Sequence, residues 1–314
     1  MKGILQTLSI VMLVLLSPWP ARAGCLEGDC QNGVGAMAFD SGRYSGHFKN
    51  NLPHGRGVFE AGDGAVLSGD FVMGPGNGEG TITYPDGREY TGQFYHGQPN
   101  GQGTMTYAGR DDRYKGQWRQ GIFYEGEVSR REPDGTVYRG GMKEGHYHGQ
   151  GMLLLSDGTR YEGGFANGLY EGRGILKQAD GTVYEGTFKN NLPHGQGILK
   201  LADGGEYRGE FRAGLFEGQG RMVFGDERKY FGTWKEGLMD GRGTLTFPDG
   251  TEYKGGFQAG AYHGRGTLIQ PGATPQRGNF ENGVMVEQPG QPREKAAPPQ
   301  RESEPQLDYQ LFKK

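Results

Sequence analysis

Apolar side chains are scarce in this chain. Only 33% of its 314 residues are hydrophobic, too few to fill the thick core of a compact globule of that length. Cysteine is nearly absent, with Cys25 and Cys30 alone, which excludes a many-bridged scaffold and a thiolate-rich metal centre. Long hydrophobic runs are missing beyond residues 4–16, so no later segment is apolar enough to span a bilayer. A strong net charge is missing too: the formal value is −3 and the Lys and Arg residues are scattered. Without a basic stripe to follow a phosphate backbone, no nucleic-acid partner is expected.

Glycine takes the place of the missing apolar residues, at 62 positions, and 17 Tyr and 16 Phe accompany it. They recur in phase. Tyr-x-Gly-x-Phe begins at Tyr44, Leu67, Tyr90, Tyr114, Tyr138, Tyr161, Tyr184, Tyr207, Tyr230 and Tyr253. Seven of the nine steps are 23 residues, and the steps from Tyr90 and Tyr114 are 24. A fixed period of this size means a stacked array, in which each unit buries its few large side chains against its neighbours.

One repeat reads as a β-hairpin. Tyr184, Gly186 and Phe188 are two apart and share one face of an extended strand. Residues 190–194 then turn the chain, Gly195 and Gly197 open a second strand, and Asp203-Gly204 closes it. The expected fold is all-β: an elongated single-layer antiparallel ribbon of about ten stacked hairpins of 23 residues. The array should occupy residues 44–283, behind an N-terminal cap with a half-repeat at 24–43, and a disordered Pro/Glu/Gln-rich tail should fill 284–314.

The motif Y-x-G-x-F/W…G-x-G…D-G resembles the MORN repeat (membrane occupation and recognition nexus) from about residue 33 to 283. The resemblance implies a ribbon of hairpins serving as a scaffold, often dimeric, that organises partners or membranes. Some members carry a fused catalytic domain, but only about 30 residues follow the array here.

The pattern has flaws. Leu67 replaces the first Tyr of the second repeat, residues 110–112 carry an insertion, and Val128 stands where the fourth repeat should have a glycine. A bend near residues 110–137 is a place where these changes would divide the array. Catalytic constellations are not found. Asp86, Asp134, Asp157, Asp180, Asp203 and Asp249 each precede a turn glycine, where Asp bonds local backbone. His54, His148, His194 and His263 share one phase before G-x-G, taken elsewhere by Asn77, Asn100, Glu125, Glu171, Glu217 or Asp240. Equivalent positions lie about 10 Å apart in such a stack, too far to converge on zinc, so a polar turn row is expected and neither metal nor cofactor.

The candidate binding ridge is the row Tyr124, Tyr147, Tyr170, Phe216, Met239 and Tyr262, one large apolar residue per link. It is either packed beneath the sheet or exposed as a contact line. The function expected is that of an exported, non-enzymatic scaffold binding a protein partner or itself, as in a homodimer. The alternative is a surface module for membrane lipid or a glycan, although the acidic balance disfavours anionic headgroups.

Export rests on the N-terminus. Lys2, the apolar run and Ala21-Arg22-Ala23 read as a cleaved signal peptide over residues 1–23. Cys25 and Cys30 then either form a disulfide in an oxidising periplasmic or extracellular space, or Cys25 carries a lipid anchor. Arg22 stands where a lipid-anchor motif has leucine, which favours the bridge. Intact-mass measurement of the native protein should give a chain beginning at Gly24. A retained Met1 would refute processing, and an added lipid mass on Cys25 would establish the anchor.

Overall fold

Alternation of Tyr, Gly and Phe with polar residues is realised as paired strands. The computed structural model describes residues 24–74 and 76–287, and among these it is all-β with no helix. The signal peptide expected at 1–23 and most of the expected tail lie outside the described residues. The chain divides into two compact units, residues 1–153 and 154–314. Strands of the first unit run from Gly24–Gly28 to His146–Leu154, and those of the second from Arg160–Ala166 to Val284–Glu287. In the first unit, antiparallel ladders link each strand to the next from Gly24–Gly28 through Val137–Lys143. In the second they do so from Arg160–Ala166 to the last strand. Each is a single-layer meander.

Hairpins close more tightly than residues 190–194 suggested. The turn is only Asn190-Asn191, at φ 51° and 69°, and Leu192–Lys200 is already strand. Two successive residues with positive φ match the right-handed twist of the flanking strands, so a two-residue turn suffices. Asn282 and Gly283, at φ 50° and 85°, make the same turn. Val284–Glu287 therefore folds back on Gln276–Glu281, and the array continues past its expected end at 283.

The core lies on one side of the sheet and is built from one repeated contact. In the seventh repeat Gly186 pairs with Gly197, and the Tyr184 ring lies over both. A Cβ at Gly197 would lie 2.6 Å from the Tyr184 hydroxyl oxygen, so only glycine admits the ring. Just beyond, Thr187 pairs with His194, which leaves Gly195 and Gln196 as a bulge in the second strand. The Tyr184 hydroxyl donates to the Thr187 carbonyl beside that bulge at 2.9 Å. Tyr44, Tyr90, Tyr138, Tyr161, Tyr207, Tyr230 and Tyr253 donate likewise to the carbonyl three residues on. Edge-on Phe and Trp rings close the gaps between tyrosines, as Phe188 and Phe211 do on Tyr184, both at 4.9 Å.

Two repeats lack this contact, and each shows what it does. Leu67 has no hydroxyl, and its hairpin pairs without a bulge from Val66↔Thr83 to Phe71↔Gly78. Tyr114 faces Val128, the second-strand bulge shrinks to the single residue Tyr124 between Phe123 and Glu125, and Tyr114 is only half-buried. Arg110–Arg119 and Ile122–Arg131 form a hairpin paired from Ile122↔Arg119 to Ser129↔Arg113.

Burial keeps these phenols neutral. Desolvation pushes Tyr44 and Tyr253 up to about 12, and Tyr184, Tyr207 and Tyr230 further up. An unfolded tyrosine ionises near 10, so the stabilisation is complete below about pH 10 and is lost as pH climbs through the folded values. Urea midpoints should hold steady to about pH 10 and fall steeply above it; a flat profile to pH 12 would contradict the burial. Tyr184→Phe should cost about 1–3 kcal/mol by stranding the Thr187 carbonyl. Gly197→Ala should cost a similar amount by overpacking.

Candidate interaction face

Five of the six ridge residues pack against the sheet: Phe216 and Met239 are buried, and Tyr147, Tyr170 and Tyr262 are half-buried. Phe211 pairs with Phe216, Trp234 with Met239, Phe257 with Tyr262 and Phe165 with Tyr170, so the row lies on the tyrosine side of the sheet. Phe216 stacks flat on Tyr207 at 3.7 Å and is 1% exposed. Tyr147, Tyr170 and Tyr262 stack in the same way on Tyr138, Tyr161 and Tyr253, and Met239 is 6% exposed. Between the two arrangements left open by the sequence, burial selects the packed one. The bulge is the reason, because it brings the link back over the tyrosine of its own repeat.

Tyr124 is the member that falls out of phase. The extra residue in its link places Phe123 opposite Trp118, with their rings at 5.2 Å, and Tyr124 becomes the bulged residue. Its ring lies 3.3 Å from the Arg119 guanidinium carbon and its hydroxyl donates to Glu144 at 2.8 Å.

The polar turn row has a definite task. Asn77, Asn100, Glu171, Glu217 and Asp240 each accept a hydrogen bond from a backbone N–H in the next hairpin turn. The donors, His96, Gln120, Asn190, Glu236 and Ala259, are all residues of positive φ. Ridge backbones reinforce this, since the carbonyls of Tyr124, Tyr170, Phe216, Met239 and Tyr262 accept from the same turns. On the other edge, Asp134, Asp157, Asp180, Asp203 and Asp249 each accept the N–H two residues on. Among the described residues no three His, Cys, Asp or Glu side chains are grouped to hold a metal ion. Cys25 and Cys30 are joined by a disulfide that closes a loop on the first strand pair, with Cys30 buried.

The sequence repeat, matched ten times over, decides the family. The sequence matches the MORN repeat over residues 44–66, 68–87, 90–111, 114–123, 138–160, 161–183, 184–206, 207–227, 230–252 and 253–272. The chain belongs to the MORN-repeat family. The fourth MORN repeat matches over only ten residues, 114–123, and the match stops where Tyr124 leaves the pattern. No curated protein matches the chain at a significant level. Among solved structures, the chain is similar to the TCP domain of SAS-4 from Drosophila melanogaster, bound to a proline-rich motif of Ana2. That match has 14% identity and a TM-score of 0.31, and covers 49% of this chain and 84% of the other. A second is the TCP10 domain of Danio rerio CPAP with a STIL peptide, at 13% identity and a TM-score of 0.29, covering 82% and 100%. Likeness at this level carries no argument about fold or partner.

With the aromatic side of the MORN sheet closed by its own packing, the open side is the opposite one. It displays the residues between Tyr, Gly and Phe, which are mainly charged, amide or hydroxyl side chains. In the first unit it forms a hollow of about 720 Å3 lined by Arg56, Ser68, Asp70, Glu79, Thr81 and Thr91. Cations gather on this face in the second unit. The Glu206 carboxyl is held below the ordinary range there, first by its hydrogen bond from Arg208 and then, against some desolvation, by the charges of Arg208, Lys200 and Arg221.

If the ridge is core, Tyr170→Ser, Phe216→Ser and Met239→Ser together should unfold the second unit as readily as Phe188→Ala. The expected cost is about 3–5 kcal/mol per truncated aromatic. Circular dichroism melts would contradict this if the triple variant kept the wild-type transition.

Proposed function

We propose that the protein is an exported, non-enzymatic scaffold that uses its MORN array to bind a protein partner or a second copy of itself. The observation that carries this reading is the sidedness of the sheet: most aromatic groups are consumed in packing on one side, and a mainly polar display, with Val58, Ile175, Ile198 and Phe231 among it, is left on the other. Such a face suits recognition by another protein surface, where affinity comes from a few well-placed contacts across a broad area. Repetition extends the same face with each unit, as arrays do when they serve as binding surfaces.

The Cys25–Cys30 disulfide supports export, because such bridges persist in oxidising compartments. The glycan alternative relied on an aromatic ladder for sugar stacking, and those rings now lie within the packing. Light scattering of the purified mature chain, with cross-linking in the exported compartment, tests the reading. A discrete dimer or one saturable cross-linked protein is the expected result. A monomer captured only by liposomes or polysaccharide would overturn it.

A further inference from the structure

Phe231 breaks the pattern of the open face. The residue between the first aromatic and the first glycine is Ser45, Ser68, Thr91, Lys115, Arg139, Glu162, Glu185, Arg208 and Lys254 in the other nine repeats. All are polar or charged, and the ninth repeat alone has a phenylalanine. Phe231 is 64% exposed, and among the described residues it joins no ring stack or cation–π contact. An apolar ring in water at a position where the array otherwise places charge or hydroxyl contributes nothing to the core.

Its surroundings are cationic. Arg221 lies directly opposite on one neighbouring strand, and Thr244 on the other. Lys229 is two residues back on the same strand, Arg242 is the diagonal neighbour, and Lys254 follows beyond Thr244. All four cations are exposed. Lys254 pairs with Glu252, whereas Arg221, Lys229 and Arg242 reach no carboxylate within 4.0 Å among the described residues. Acids of this stretch are engaged elsewhere. Asp203, Asp226 and Asp249 bond their own turns, and Glu217 and Asp240 hold the turns of the following repeats.

We infer that the open face of the second unit, centred on Phe231, is the docking site for an acidic peptide segment bearing an apolar or aromatic residue. This rests on the scaffold reading and names the chemistry of its partner. The peptide's apolar residue covers the Phe231 ring, while Arg221, Arg242 and Lys229 pair with carboxylates on either side. Guanidinium groups bind carboxylates in a two-pronged geometry, which gives direction as well as attraction. The lack of further rings disfavours a single-stranded nucleic acid. Such a ligand needs successive aromatic platforms, but the equivalent positions flanking Phe231 are Arg208 and Lys254.

The test is fluorescence anisotropy with the full mature chain and a labelled heptapeptide, tryptophan flanked by three glutamates on each side. Labelled oligothymidylate and anionic vesicles are the comparison probes. The peptide should bind with an affinity that falls with salt, and Phe231→Thr should weaken it at least about tenfold. That variant restores the residue type of the third repeat, so its melting should match the wild type. Arg221→Ser with Arg242→Ser should weaken binding similarly and flatten the salt dependence. No peptide binding, binding indifferent to Phe231→Thr, or tighter binding of oligothymidylate or vesicles would overturn the inference. The scaffold reading is separable: a dimer or cross-linked partner equally retained by Phe231→Thr removes this site and leaves the scaffold standing.

Discussion

A tyrosine hydroxyl bonded to the carbonyl beside a bulge is the contact on which this architecture depends. A single-layer sheet has no second layer to cover it, so its core must come from side chains lying along its own surface. Paired glycines open a floor for the ring, and the bulge brings the link back over it. The freed carbonyl receives the phenol proton, so both polar groups of this contact are satisfied. Remove any one of glycine, bulge or hydroxyl and the others lose their purpose. The second repeat, with Leu67 and an unbroken ladder, is the natural experiment.

Much of this was legible from residue spacing. Tyr184, Gly186 and Phe188 gave face and period together, and the 23-residue step gave the stacking. What spacing could not give was the bulge, because it depends on how Gly195 and Gln196 fall between two strands rather than on which residues they are. The fate of the ridge followed from that. Counted back from G-x-G, Tyr124 and Phe216 look equivalent; counted from the hairpin turn, Phe123 is the true counterpart of Phe216. Phe231 stands in the sequence as a lone aromatic in a polar column, outside the links that carry the other large residues.

The distribution of charge follows from the same economy of layers. Many acidic side chains sit at the two turn edges, where they accept backbone N–H groups. Basic side chains have no such backbone duty, and many remain on the open face. The molecule is close to neutral in composition yet uneven in presentation.

The fourth repeat carries one further consequence. In the seventh, Leu199 faces both Tyr184 and Tyr207, so the strand has the same register on its two edges. In the fourth, Val128 faces Tyr114 while Arg130 faces Tyr138. That strand translates between two phases, and the offset is two residues. A one-residue offset would have exchanged core and solvent sides for every strand that followed. The array thus has a reading frame of two: a length change survives when the strand that absorbs it hands on an even displacement. Sidedness then passes undamaged from the fourth repeat to the strand that follows it, Val137–Lys143.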